Sequence, residues 1–186
     1  GHESIFKIAA PILRKYKIKA ILFLNMEAIE GGYFIAGVVS YFINKNKSFR
    51  EKILRANLKK KDPLLRVKKN DIDQLINKVK KNNLKNKIEI YSGNFGTYKE
   101  LKKNNDIFIY SNHLYNHYNA CMLSKEDLNL QFELNIKALK KINGQVEFFA
   151  YPYGQIESCY NESTDLFIKN KKVKKVFYAN GSLNKT

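Results

Sequence analysis

The sequence predicts an α/β fold with a mainly parallel sheet. Two observations support this: short apolar runs recur along the 186 residues, and amphipathic segments of helical spacing separate them. The runs are AILFLN (20–25), IFIYSNH (107–113), EFFAYPYG (147–154) and KVFYA (175–179). Strands that alternate with helices form parallel sheets flanked by helices. Active sites in such folds lie at the carboxyl ends of the strands.

The first predicted element is an amphipathic helix from Ser4 to about Lys17. Its apolar stripe, expected to face the sheet, consists of Ile5, Ile8, Ala9, Ile12, Leu13 and Tyr16. Pro11 lies inside this segment and should bend the helix or delay its start, because proline lacks the backbone N–H.

Helices are also predicted between the first two strands. Residues 33–60 read as two helical segments divided near 44–48, and Asp62-Pro63 ends that stretch. A helix from Asp71 to about Lys81 should bury Ile72, Leu75, Ile76 and Val79. Residues 87–93 fit a strand or an extended loop, and 98–103 a short helix.

The clearest helix covers residues 124–144. Ser124 is placed to cap it, with Asp127 three residues later, and Gly144 stands where a helix end is expected. A last helix is predicted around 165–169.

Composition narrows the function classes. The apolar fraction of 44% indicates a packed globular chain, and no apolar run is long enough to span a membrane. The net charge of +17 comes almost entirely from lysine, whereas specific nucleic-acid surfaces favour arginine. We therefore expect no specific nucleic-acid partner, and a polyanion site, if present, at 59–61 or 171–172. The two cysteines fit no disulfide or CxxC pattern.

Two of the three histidines, His113 and His117, follow the second apolar run. On one helical turn they would present two imidazoles on the same face, a spacing found in zinc sites. Two surface histidines, or a pair bonded to backbone, are the alternatives. The placement directly after a buried strand favours a metal site.

AYPYG (150–154) ends the third apolar run with a proline of fixed φ and a permissive glycine. Such a turn can aim a backbone N–H and the flanking rings at a ligand. On its own it is more typical of a strand-ending turn with core tyrosines.

Together and in order, these motifs resemble the polysaccharide deacetylases of the NodB-homology type, carbohydrate esterase family 4. GHESIFKIAAPILRKYKIKAILFLN is similar to the block that follows Phe-Asp-Asp-Gly in that family. SNHLYNHYNACMLSKEDL resembles its second motif, His-(Ser/Thr)-x-x-His. FFAYPYG resembles the third motif, and VKKVFYANGSLN its Gly-rich continuation.

The resemblance implies a distorted (β/α) barrel and a divalent metal, usually zinc, with His113 and His117 as two ligands. It implies hydrolytic N-deacetylation of N-acetylhexosamine units in a polysaccharide or glycolipid, with the backbone N–H of Tyr153 at the oxyanion. Four further residues are candidates for sugar contacts: Tyr115, Tyr118, Tyr151 and Pro152. Residues 33–90 exceed the family core and are interpreted as a helical insertion within a single domain, 1–186.

Several positions depart from the family pattern. Gly1 aligns with the glycine of Phe-Asp-Asp-Gly, so the metal-binding and basic aspartates of that motif would precede it. Leu114 replaces the Ser/Thr of the second motif, and Ala150 stands where an arginine is common. The late Leu-x-His motif has no match. His2 would lie near the metal or serve as a loop residue.

These departures leave the enzymatic activity open and predict a fragment of a longer chain or a degenerate member. The alternatives in function are an inactive glycan-binding relative and a basic polyanion-binding module. The envelope and the cytoplasm of a bacterium both fit as locations.

Overall fold

A four-stranded parallel sheet forms the centre of the fold in the computed structural model, which describes residues 2–55, 65, 67–143 and 147–179. The strands, in spatial order, are β1 (Ala20–Leu24), β2 (Phe108–Asn112), β3 (Phe148–Ala150) and β4 (Lys175–Phe177). β1 and β2 pair over their full length, from Ala20 opposite Phe108 to Leu24 opposite Asn112. The predicted fold class is confirmed, and each strand lies within its predicted apolar run.

Helices connect and flank these strands. They are α1 (Ala10–Lys15), α2 (Met26–Ile29), α3 (Ile35–Lys45), α4 (Lys47–Arg55), α5 (Lys69–Lys81), α6 (Lys85–Ser92), α7 (Tyr98–Lys103), α8 (Lys125–Lys140) and α9 (Glu162–Lys169). A π-helical stretch, Ile5–Ala9, precedes α1, and a 3-10 turn covers Ala120–Met122. No helix among the described residues has the length and apolarity needed to cross a bilayer.

The first helix forms where predicted, but its predicted buried face is wrong in part. Ile8, Ile12 and Tyr16 are each more than half exposed, whereas Phe6 and Ala10 are buried. The cause is the π-helical stretch, in which the Ala10 N–H donates to the Ile5 carbonyl five residues back. This wider turn changes the spacing on which the predicted stripe depends. Pro11, which has no N–H to donate, follows directly.

Helices α3 to α6 fill the region between β1 and α7. The division of residues 33–60 near 44–48 is confirmed by the break between α3 and α4, while 56–60 and Asp62-Pro63 lie outside the described residues. α5 buries the four predicted residues Ile72, Leu75, Ile76 and Val79. The interpretation of 33–90 as an insertion stays a prediction.

Residues 87–93 are neither strand nor extended loop, because Lys85–Ser92 forms α6. The helix packs closely on α3. A Cβ added to Gly37 of α3 would lie 1.8 Å from the Ser92 Oγ, so only glycine permits this approach. The contact between two distant segments therefore explains the helix, which the short apolar run alone does not indicate.

Helix α8 begins as predicted, with the Ser124 hydroxyl accepting from the Asp127 N–H at 3.1 Å. Its buried face includes two amides, Gln131 and Asn135, among leucine and phenylalanine side chains. Buried amides need hydrogen-bond partners. Asn135 finds them at the carboxyl ends of β1 and β2, and Gln131 on the loop that follows β2, where the candidate site lies.

Candidate active site

The histidine pair lies on a loop, not on the helical turn that the spacing predicted. Residues 113–119 follow β2 without helical structure, and Leu114 adopts a φ of 60°, which is outside the right-handed helical range. The expected proximity of the two rings is nevertheless achieved, with 5.0 Å between the centroids of His113 and His117.

Buried amide side chains hold the start of this loop. The Asn112 Oδ1 accepts from the Leu114 N–H at 3.0 Å and from the Asn135 Nδ2 at 2.7 Å. The same Asn135 Nδ2 donates to the Leu24 carbonyl at 2.8 Å, and its Oδ1 accepts from the Met26 N–H at 3.0 Å. One side chain of α8 thereby joins the ends of β1 and β2.

A second set of contacts holds the rest of the loop. The Asn25 Nδ2 donates to the carbonyls of His113 and Leu114. On the other side the Gln131 Oε1 accepts from the Asn116 N–H at 2.9 Å, and the Gln131 carbonyl accepts from the Tyr115 N–H at 3.0 Å. Residues 113–116 of the loop are therefore tied to Asn25, which follows β1, and to Gln131 of α8.

The ring orientation of His113 is set by the third strand. Its Nδ1 lies 2.7 Å from the Ala150 carbonyl oxygen. A carbonyl can only accept, so Nδ1 carries the proton and Nε2 keeps its lone pair. In metal sites, a hydrogen bond of this kind from the other ring nitrogen fixes the orientation of a histidine ligand.

Both imidazoles are neutral near pH 7. Burial lowers the pKa of His113 to about 4, and burial together with the neighbouring His113 lowers the pKa of His117 to about 3. The Nδ1 of His117 is buried and has no hydrogen-bond partner among the described residues. Neutral imidazole is the form that binds zinc.

Aromatic rings surround His117. The Tyr153 ring lies 4.6 Å from it in an edge-on arrangement, and the Phe34 ring lies at 5.4 Å. Tyr153 and Gly154 both have left-handed φ values, 65° and 66°, in the predicted Tyr-Pro-Tyr-Gly turn. The third motif therefore reaches the histidines, as its position at a strand end predicted.

The four residues predicted to contact a sugar, Tyr115, Tyr118, Tyr151 and Pro152, do not pack on the histidine rings as Tyr153 does. Tyr118 and Tyr151 are buried, with hydroxyls on Asp73 at 2.8 Å and Asp165 at 3.3 Å. Pro152 is buried, and the Tyr115 hydroxyl donates to Glu30 at 2.8 Å. In this conformation the buried rings of Tyr118 and Tyr151 have no face open for a sugar.

The sequence analysis missed the residues that hold the histidine loop in place. Asn25 and Asn112 end or follow buried strands, and Gln131 and Asn135 lie four residues apart on the buried face of α8. Polar residues at those positions were the available signal. Phe34, which contacts His117, had no signal of its own. His2 stacks on Phe95 at 4.9 Å and contacts Phe34, the ring that also contacts His117.

This site offers a metal two ligands, His113 and His117. Within the described part of the chain, no group of three or more His, Cys, Asp or Glu side chains is arranged to hold an ion. The pair can supply two of the three protein ligands of a catalytic zinc.

A family model described as polysaccharide deacetylase matches residues 1–176. The chain belongs to the polysaccharide deacetylase family. In this family member the second and third motifs converge, as the contacts of His117 with Tyr153 and of His113 with Ala150 demonstrate. No curated protein matches the sequence significantly.

Two solved structures share the fold of this chain. The deacetylase PplD of Streptococcus pyogenes, in complex with acetate, aligns with a TM-score of 0.54 and 17% identity over 92% of this chain and 49% of that one. IcaB from Ammonifex degensii aligns with a TM-score of 0.50 and 17% identity, over 96% and 56%. The chain spans about half the length of these proteins, whose fold is a (β/α) barrel.

Proposed function

We propose that this chain carries the histidine pair of a metal-dependent deacetylase acting on N-acetylhexosamine units of a polysaccharide or glycolipid. The observation that carries the proposal is the pair itself: two neutral imidazoles with centroids 5.0 Å apart, one oriented by a backbone carbonyl. Membership of the polysaccharide deacetylase family supports deacetylation as the reaction class.

The donor set fits zinc. The His113 Nε2 keeps its lone pair because Nδ1 donates to Ala150, and the His117 Nδ1 is a buried nitrogen without a partner among the described residues. Both observations agree with imidazole ligands. By the family pattern the third ligand and the base would be the aspartates of Phe-Asp-Asp-Gly, the motif whose glycine aligns with Gly1.

The reaction is hydrolysis of an acetamide. Water adds to the carbonyl carbon, the C–N bond breaks, and the products are acetate and a free amine on the sugar. When bound, zinc would supply Lewis-acid polarisation of the acetamide carbonyl. The backbone N–H of Tyr153 would donate to the oxyanion as charge develops, since the turn that holds it lies against His117.

The test is release of acetate from N-acetylglucosamine oligomers by the full-length gene product supplied with zinc. We expect His113→Ala and His117→Ala each to lower the rate by at least about 100-fold. Lys137→Ala, an exposed position on α8, is the control and should keep most of the activity. Equal rates for wild type and both variants of the pair would refute the proposal.

A second candidate is a glycan-binding relative without catalysis. It is favoured by one observation, the absence of a third ligand among the described residues. Binding of the oligomers without any acetate release, by a full-length protein whose gene lacks Phe-Asp-Asp upstream, would select this candidate.

A further inference from the structure

A cavity of about 390 Å³ lies beside the histidine pair, within the range of volumes typical of ligand pockets. Two loops form it. One follows α2 and includes Gly31 to Phe34, and the other links α6 to α7 and includes Gly93 to Thr97. Neither loop belongs to the histidine or Tyr-Pro-Tyr-Gly motifs.

The cavity has an aromatic wall made of Tyr33, Phe34 and Phe95, all half-buried. The Phe34 and Phe95 rings are 5.2 Å apart. Rigid rings of this kind give a ligand a large contact area at low conformational cost. A pyranose ring matches them, because one of its faces carries mainly C–H groups.

The remaining wall is polar and carries both donors and acceptors. Lys85, Glu89, Asn94 and Thr97 line it, and Lys85 also donates to the Gly31 carbonyl at 3.3 Å. Gly31 has a φ of 86° and no atom within 4 Å of the place of a Cβ, so its backbone is open to a ligand. Sugar hydroxyls, which donate and accept, suit such a surface.

Phe34 connects this cavity to the histidines. Its ring lines the cavity and also lies 5.4 Å from the His117 ring. A chain that reaches the histidines with one unit can therefore continue along Phe34 into the cavity with the next.

We propose that the cavity is a second sugar subsite, which binds the unit next to the one whose acetamide is cleaved. The proposal rests on the proposed function and extends it to a polymeric substrate. Recognition at this subsite comes from the aromatic and polar side chains of residues 31–34 and 85–97, in a region that lies between β1 and β2.

The test is calorimetric affinity for N-acetylglucosamine and its β1,4- and β1,6-linked tetramers. Wild type should bind at least one tetramer about tenfold more tightly than the monosaccharide, since one more buried ring contributes more than about 1 kcal/mol. Phe95→Ala should remove most of that difference. Lys85→Ala and Glu89→Ala change exposed side chains, so they probe the subsite without disturbing the core, and at least one should weaken tetramer binding by about threefold.

The matched control is Ile90→Ala, an 82% exposed residue of α6 that does not line the cavity and should leave tetramer affinity unchanged. Equal affinity for monomer and tetramers, no binding of either tetramer, or unaltered binding in all three cavity variants would overturn the proposal. The double variant His113→Ala, His117→Ala separates the two claims. Loss of acetate release with intact tetramer binding supports both, whereas zinc-independent acetate release with intact tetramer binding refutes only the metal site.

Discussion

Single amide side chains determine where the histidines stand. Asn135 is fully buried and bonds a carbonyl of β1, the first N–H of α2 and the Asn112 side chain. The histidine loop takes its shape from Asn112, so Asn135 supports the site without contacting it.

Asn135→Ala should lower the free energy of unfolding by about 3 kcal/mol, because the Leu24 carbonyl and the Met26 N–H lose this side chain and the Asn112 Oδ1 loses one of its two donors. Urea denaturation followed by circular dichroism measures this. Lys137→Ala, an exposed position on the same helix, should change stability by less than about 0.5 kcal/mol. A loss of less than about 1 kcal/mol at Asn135 would show that the network does not bear on stability.

Glu27 gives a pH-dependent prediction away from the histidines. Burial raises its pKa from 4.5 to about 7, although Asn116 and Lys80 act in the opposite direction. Between these pH values the folded state keeps a proton that the unfolded chain has lost. The stability contributed by Glu27 is thus complete below pH 4.5 and is lost as the pH rises through 7.

Glu27→Gln removes this titration and keeps the shape of the side chain. Relative to the variant, wild type should lose about 1–2 kcal/mol of stability between pH 4.5 and 8, a size that allows for partial solvent exposure. Chemical denaturation at a series of pH values measures the difference. If wild type instead gains stability over the variant as the pH rises, the assignment is wrong.

At the scale of the elements, the close contact between α3 and α6 restricts which side chain position 37 can carry. Gly37→Ala should destabilise the fold by about 2 kcal/mol, because a Cβ there would overlap Ser92, even though alanine favours helix by about 1 kcal/mol. Thermal and urea unfolding test this. Ser92→Gly in the same chain should recover part of the loss. A Gly37→Ala protein as stable as wild type would mean that the helices separate without cost.

The sequence predicted correctly those elements whose spacing and capping residues all lie within one segment. The bounds and buried face of α5, and the Ser124 cap of α8, follow from spacing and capping chemistry. Helix α6 and the buried face of the first helix could not be predicted from spacing and capping. α6 depends on Gly37, about fifty residues earlier, and a π-helical turn alters the period on which the stripe of the first helix depends.

The candidate site divides in the same way. The residue types and their place after β2 and β3 indicated the pairing of the histidines with the Tyr-Pro-Tyr-Gly turn. A loop replaces the expected helical turn because Asn25 and Gln131 form hydrogen bonds with it. Asn25 lies 88 residues before its partner His113, and Gln131 lies 15 residues after its partner Asn116. No local spacing contains that information.

The charge of the whole molecule gives a further prediction. Of the two lysine clusters proposed for polyanions, 59–61 lies outside the described residues. In the other, Lys171 contacts Glu133 at 3.0 Å and lies over the rings of Phe132 and Phe167. Engaged in this way, it is poorly placed to bind a polymer.

Binding to heparin should therefore reflect only the diffuse charge of +17 and be lost at about 0.3 M salt. Elution from a heparin column measures it, and Lys171→Ala with Lys172→Ala should shift elution only slightly. Retention above about 1 M salt that this double variant abolishes would establish a dedicated polyanion site.

The measurement that tests the central claim most directly is zinc content after dialysis against zinc without chelators. In the full-length gene product, wild type and His2→Ala should each carry about one zinc per chain, while His113→Ala and His117→Ala should both lose it. A wild-type protein without zinc, or equal zinc in all four proteins, would contradict the assignment of His113 and His117 as a ligand pair.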